Sequence, residues 1–271
     1  MFAIVSCNAP DSVDATQSQT GEAIDELPRF VSLNPCTDAI LVEIANPQQV
    51  LALSHFSHDE AASSIDIDRA RQFDVTGGTV EEVMALSPDY VLASAFSRPA
   101  KMQALRDFGI QTEMFGEARD PLASFAQIER IAALAGHPER GQKLIASIEQ
   151  ALELSAAPAG YEPINTMVWQ PGQIVPGEAT LIGGLLDHAG FESHSAARGL
   201  KQADFVSLET VLADPPELLL IAGRSGGQRH PTLINLVKTQ VETFDSKLIF
   251  CAATTIEHAT QRLVQIREQM R

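Results

Sequence analysis

Thr79–Ala93 reads TVEEVMALSPDYVLA, Ser207–Ile221 reads SLETVLADPPELLLI, and the second is a worn copy of the first. A hydroxyl residue opens each copy (Thr79, Ser207), Glu81 matches Glu209, Val83 matches Val211, and Ala85 matches Ala213. Pro88 and Pro216 fall at the same step, each trailed by an acid and a hydrophobic run. Each copy spells a short capped helix, a stop and a strand. Thr79 with Glu82 has the spacing of a capping box, the residue before a proline is pushed out of the helical region, and a short apolar run suits a buried parallel strand. A unit repeated at one fixed offset predicts two similar α/β lobes. Strand–helix units of a single doubly wound sheet would also resemble one another, so that reading stands beside it.

Working outward, RFVSLN predicts a strand closed by Pro35, and CTDAILVEIA a helix capped by Thr37 or Asp38, with Ile40, Leu41 and Ile44 on one face. QVLALS, DYVLAS and IQTEMFG are further strands, and PAKMQALRDFG is a helix ending on Gly109. DPLASFAQIERIAALAG is helical to Gly136, and Pro138 opens another helix reaching about Ala156 with Leu144, Ile148 and Leu152 on one stripe. The order then starts afresh: INTMVWQ as strand, ATLIGGLLDHAG as helix, SLETVLAD as short helix, ELLLIAG as strand, HPTLINLVKTQ as helix, KLIFCA as strand and TIEHATQRLVQIREQM as closing helix. The predicted fold is α/β, two Rossmann-like lobes with parallel sheets joined by a single long connecting helix. The predicted divisions are a leader over 1–27, an N-terminal lobe over 28–136, the connecting helix over 137–157 and a C-terminal lobe over 158–271.

The bulk composition excludes several classes. With 271 residues, 45% hydrophobic and 20% charged, the chain can bury one large core or two medium ones. No stretch reaches the roughly 18 apolar residues of a membrane span. A net charge of −16 repels phosphate, so no nucleic-acid partner is expected. The three cysteines, Cys7, Cys36 and Cys251, form neither a disulfide framework nor a zinc motif. Ile4-Val5-Ser6-Cys7 resembles the bacterial lipobox, and the polar residues after it suit a disordered tether. That resemblance implies export, a lipidated Cys7 and a periplasmic, membrane-tethered protein. A start upstream of Met1 would supply the longer signal peptide this needs; without one the match at Cys7 is accidental.

Taken in order, RFVSLNPCTDAILVEIA, GGTVEEVMALSPDYVLA, GHPERGQKLIASIEQAL, GEATLIGGLLDHAGF and VSLETVLADPPELLLI resemble the substrate-binding proteins of ABC importers for ferric siderophores, cobalamin and related chelates. The resemblance covers nearly everything from Pro28 onward. It implies a monomer without an intrinsic cofactor that holds a metal chelate, as transported ligand, in the crevice between stiffly joined lobes. It also implies a permease dimer with its ATPase in the inner membrane as partner. In that family one acid at the tip of each lobe docks into arginine pockets on the permease, which by motif alignment assigns Glu81 and Glu209; a carboxylate in a first helical turn is also favoured by the local dipole alone.

Open parallel sheets bind ligands beyond the carboxyl ends of their strands. Reading off those ends nominates Cys36, Thr37, His55, Phe56, Ser94, Trp169, Gln170, Arg224 and Cys251, with Arg229 beside Arg224. Trp169 and Phe56 are the candidate flat surfaces, and Arg224 and Arg229 the candidate partners for carboxylate or catecholate oxygens. Trp169 directly follows an apolar run and could equally end a buried strand. Cys36 and Cys251 each sit past a strand, one per lobe. They could pair in an oxidising compartment, one could ligate a metal, or they could be small buried thiols that never meet. Relatives that bind cobalamin line the cleft with aromatics where this chain has Val75, Ser94 and Ala203, and the glycines usual after the last cysteine are replaced by CAATT.

Two other functions compete with this reading. A zinc or manganese receptor would draw on His55 or His58 with a C-lobe partner such as Asp204. A small α/β enzyme would use Cys36 with His58, but no nucleotide fingerprint or nucleophile elbow accompanies them, and no third group orients the pair.

Overall fold

A computed structural model describes residues 27–60, 62–223 and 227–270, apart from the side chains of residues 234 and 235. Residues 1–26, with the lipobox-like Cys7, lie outside the described residues, as does Arg224.

In the N-terminal lobe, β1 (Phe30–Ser32), α1 (Pro35–Ile44), β2 (Val50–Ser54), α2 (Ile67–Ala70), β3 (Val75–Thr76), α3 (Val80–Leu86), β4 (Tyr90–Ser94), α4 (Pro99–Asp107), β5 (Gln111–Phe115) and α5 (Pro121–Ala135) alternate. The five strands form one parallel sheet in the order β3-β2-β1-β4-β5. The connecting helix α6 (Pro138–Ser155) has 18 residues, about 27 Å at ~1.5 Å per residue. The C-terminal lobe follows with β6 (Ile164–Trp169), β7 (Ile174–Val175), α7 (Leu181–His188), β8 (Phe191–Ser193), β9 (Asp204–Phe205), α8 (Leu208–Ala213), β10 (Leu218–Ile221), β11 (Gln240–Thr243), α9 (Lys247–Phe250) and α10 (Thr254–Gln269). Its parallel sheet runs β11-β10-β6-β8, with β7 and β9 set aside as an antiparallel pair.

Two separate sheets remove the single-sheet alternative. With the edge strand β3 set aside, β2-β1-β4-β5 and β8-β6-β10-β11 are the same arrangement. The repeated unit occupies equivalent places: α3 with β4 in one lobe, α8 with β10 in the other. Val83 and Val211 are both fully buried, which is why the step is kept in the sequence. Thr79 caps α3 by accepting from Glu82 N at 3.2 Å, and Glu82 returns the contact to Thr79 N. Ser207 caps α8 through Thr210 N at 3.3 Å.

Three sequence expectations change. Helix α1 begins at Pro35, with Asn34 Oδ1 accepting from Cys36 N at 3.0 Å, so Thr37 and Asp38 are inside the helix rather than capping it. Proline's fixed φ suits the first helical position, which puts the cap at Asn34, three residues before Thr37. HPTLINLVKTQ contains only a five-residue 3-10 turn, Pro231–Asn235, because Gln240–Thr243 is drawn into the ladder on the free edge of β10. The expected strand KLIFCA is instead the short helix α9 followed by an extended Cys251.

The strands are covered on both faces, as a parallel sheet requires. On the inner faces one core runs through both lobes, from Phe30, Leu41 and Ile44 through Ile128 and Ile148 to Leu186 and Leu263, with Leu144 and Leu152 of α6 packed against it. On the outer faces Val31, Val91 and Met102 pack in one lobe, and Met167, Trp169, Val211 and Leu219 in the other. Side chains alternate along a strand. Trp169 therefore shares its face with Met167 and points under α8.

Candidate functional site

The carboxyl ends of β1, β4 and β5 face those of the C-terminal lobe, and two chambers lie between them. The first, about 310 Å³, has Asn34, Ser94, Phe96 and Phe115 on one side and Phe250, Cys251 and Ala252 on the other. The second, about 250 Å³, is lined by Gln170, Ile174, Pro176, Ala203 and Ile249. Glu117, Ala118, Gln202 and Phe250 belong to both linings. Gln202 Nε2 of the C-terminal lobe donates to Glu117 Oε1 of the N-terminal lobe at 2.7 Å, closing a bridge where the chambers meet. The first chamber is at the small end of the range for ligand sites, roughly 300–1,000 Å³, the second falls just below it, and the two are continuous in their walls.

Cys36 and Cys251 form a disulfide with their Cα atoms 5.0 Å apart. The half-buried Cys36 enters from the first turn of α1, and Cys251 leaves α9, so the bond fastens one lobe to the other in the wall of the first chamber. This corrects the readings of two separate thiols and of a metal-ligating cysteine. A sulfur held in a disulfide is no longer a thiolate, so Cys36 is also lost as the nucleophile of the enzyme alternative.

Other nominated residues disperse. Ser94 lines the first chamber, and its Oγ accepts from Phe96 N at 3.2 Å, shaping the turn that leaves Phe96 84% exposed. Gln170 lines the second chamber. Thr37 is fully buried, its hydroxyl donating to Asn34 O at 3.0 Å, so it supports the first turn of α1 and presents nothing to a ligand. Trp169 is likewise fully buried. Its Nε1 donates to Val206 O at 3.0 Å, and the flat cleft surface expected of it is supplied by Phe96 and Phe250 instead. His55 and Phe56 form one exposed turn with rings 4.0 Å apart, and neither lines either chamber. Arg229 is exposed on a short turn.

The zinc or manganese alternative also loses its ligands. His58 Nε2 lies 3.1 Å from both Ala70 O and Phe73 O, where it donates, and Asp204 Oδ2 accepts from Lys201 N at 2.7 Å. Among the described residues no group of three or more His, Cys, Asp or Glu is placed to hold a metal ion.

Sequence reading passed over Glu117, Gln202, Phe96, Phe250 and Asp38. Phe96 lay inside the strand-end stretch that nominated Ser94, and an apolar residue past a strand end was its available signal. Phe250 was hidden by the strand assigned to KLIFCA. Asp38, on α1, is fully buried, and its Oδ2 accepts from Ser54 N at 3.1 Å and Ser57 Oγ at 2.7 Å, and also from Ser54 Oγ. Burial outweighs these bonds and pushes its carboxyl up to about 7. It ties α1, and with it Cys36, to the turn carrying His55 and Phe56.

A family model described as periplasmic binding protein matches residues 30–243. The vitamin B12-binding protein of Vibrio campbellii is 29% identical over 127 residues, 46% of this chain and 44% of that protein; the match thus spans less than half the relative's length. Among solved structures, the periplasmic heme-binding protein HutB of Vibrio cholerae superposes with a TM-score of 0.73 at 18% identity, covering 88% of this chain and 98% of that one. The periplasmic vitamin B12-binding protein BtuF of Vibrio cholerae gives 0.67 at 16%, covering 88% and 96%. RhuT, a periplasmic heme-binding protein from Roseiflexus, gives 0.70 at 18%, covering 89% and 96%. At such identities the likeness is one of fold. The family and these relatives are binding proteins rather than enzymes.

Proposed function

The chain belongs to the periplasmic binding protein family, and on that footing we propose that it captures a metal chelate between its lobes and delivers it to the permease of an ABC importer. The observation that carries the reading is the pair of chambers at the carboxyl edges of both sheets, walled by Phe96, Phe115 and Phe250 with a few polar groups. Flat apolar surface with sparse fixed polar atoms suits the face and edge of a chelate. Relatives named for heme and vitamin B12 make a haem, a corrinoid or a ferric siderophore the chelate classes to test.

Two further features support it. The disulfide joining the lobes suits an oxidising compartment such as the periplasm, where the leader with its lipobox-like Cys7 would tether the protein to a membrane. Glu81 and Glu209 are both exposed at the second position of a short helix, one on each lobe, so each lobe presents one carboxylate to a permease.

Native mass spectrometry of the full chain isolated from its own cell envelope tests the reading. A co-isolated chelate that is lost on denaturation is expected. A ligand-free protein that also fails to bind haem, corrinoids and ferric siderophores in titration calorimetry overturns it.

A further inference from the structure

Among the described residues that line the two chambers, Glu117 alone carries a formal charge. It stands in both linings, so a ligand spanning the cleft passes its carboxylate. The neutral polar groups nearby are partly committed: Asn34 Oδ1 caps α1 through Cys36 N, and Gln127 Nε2 donates to Gly116 O at 2.9 Å. Arg119 Nε is 3.3 Å from Glu117 Oε2, but Arg119 lines neither chamber and its side chain is 59% exposed. An anionic ligand would therefore lose water against a like charge, with no described cation in the lining to replace it. The chain's net charge of −16 adds a field of the same sign.

The bridge across the cleft shows what Glu117 accepts. Its partner, Gln202 Nε2 at 2.7 Å, is a primary amide donor brought from the opposite lobe. The geometry points to Glu117 as the residue that selects cargo by charge: the cleft takes an uncharged or cationic chelate with N–H donors on its edge, which compete with Gln202 for that acceptor. This rests on reading the cleft as a chelate site. Cargo then displaces the Gln202 amide from Glu117, opening the wall between the chambers, and the exchange replaces one N–H donor by another. A chelate edged with carboxylates or catecholates has no donor to offer in return.

Titration calorimetry of the full chain with a charge series tests this. The series holds ferrioxamine B (cationic), cyanocobalamin (uncharged and edged with amides), haemin (ionised propionates) and a ferric tris-catecholate (anionic). The cationic and uncharged members are expected to bind at least tenfold more tightly than the anionic ones. Glu117→Gln should narrow that gap by about tenfold, the scale of one charge felt across a few ångströms of half-exposed cleft. Gln202→Ala keeps the charge and removes the internal competitor, so it should tighten binding of the donor-bearing chelates without changing the order. Tighter binding of the anionic members by the native chain, or an order unmoved by Glu117→Gln, overturns the inference. Absence of binding by every member overturns the chelate reading beneath it.

Discussion

Cys36 and Cys251 are separated by 215 positions in the sequence and by 5.0 Å between their Cα atoms, joined by a disulfide that fastens the two lobes beside the cleft. A cross-link closing so long a loop restricts the unfolded chain strongly. Breaking it by Cys36→Ser with Cys251→Ser should cost about 2–5 kcal/mol. Denaturant unfolding of the native chain should show a loss of similar size on adding reductant, and the double variant should show none. A native chain indifferent to reductant would mean that the two sulfurs are not bonded in the folded protein.

Ala253, two residues on, sits at φ 55 and ψ −127 and is 1% exposed. Its N–H donates to Ser124 Oγ of α5 at 3.0 Å, so the backbone is held there by the opposite lobe. A side chain at positive φ is strained by about 1–3 kcal/mol, and glycine adopts such angles freely. Ala253→Gly gives up one buried methyl but relieves that strain, so the variant should be more stable by about 1 kcal/mol, read as a higher denaturation midpoint. A lower midpoint would refute it.

Asp38 sets a pH dependence of stability. Its carboxyl titrates near 7 in the folded chain against 3.8 for the ordinary group, so the folded state holds a proton that the unfolded state has released. The resulting stabilisation is complete below the unfolded value and is lost as pH rises from about 4 through 7. Asp38→Asn removes that contribution to the slope while leaving an amide oxygen for Ser54 N and the serine hydroxyls. The stability difference between native and variant should swing by a few kcal/mol across this window, in the variant's favour at the alkaline end. A difference independent of pH would show that Asp38 does not titrate there.

Trp169 is a reporter of folding. Buried under α8 and bonded through Nε1 to Val206 O, it should emit to the blue and resist acrylamide quenching until the chain unfolds. Trp169→Phe leaves that carbonyl without its donor and a void beside it, a loss of roughly 2–4 kcal/mol. Ready quenching in the folded protein would return the ring to the surface.

Neighbouring acids on α3 separate by task. Glu82 accepts from Thr76 Oγ1 at 2.8 Å and completes the cap, and the Thr76 bond first among these contacts holds its carboxyl below the usual range. Its contribution is present above the ordinary carboxylate pKa and fades as pH falls through the lowered one, so Glu82→Ala should lower the midpoint at neutral pH. Glu81→Ala with Glu209→Ala should lower the midpoint only slightly, by the lost first-turn carboxylates, and leave chelate affinity unchanged, yet reduce uptake in cells at least tenfold. Normal uptake by that pair would remove the docking role.

The legible features were those written locally. Thr79 and Glu82, Ser207, Pro88 and Pro216 announce caps and stops within a few residues, and Val83 with Val211 keeps the step because both must be buried. KLIFCA misled because a four-residue apolar run does not distinguish a strand from one turn of helix. Trp169 misled because the end of a strand gives two directions, and which one faces ligand depends on the layer packed above it.

Most of the elements and the repetition of the capped helix and strand were therefore determined by the sequence itself, through short-range sterics, capping and periodicity, while the split into two sheets rather than one was settled by the fold. The pairing of Cys36 with Cys251, the bridge from Gln202 to Glu117, the burial of Asp38 and the exposure of Phe96 and Phe250 were decided only by tertiary structure. Each depends on how two sheets, far apart in the chain, are set against a shared core, and no window of sequence contains that distance.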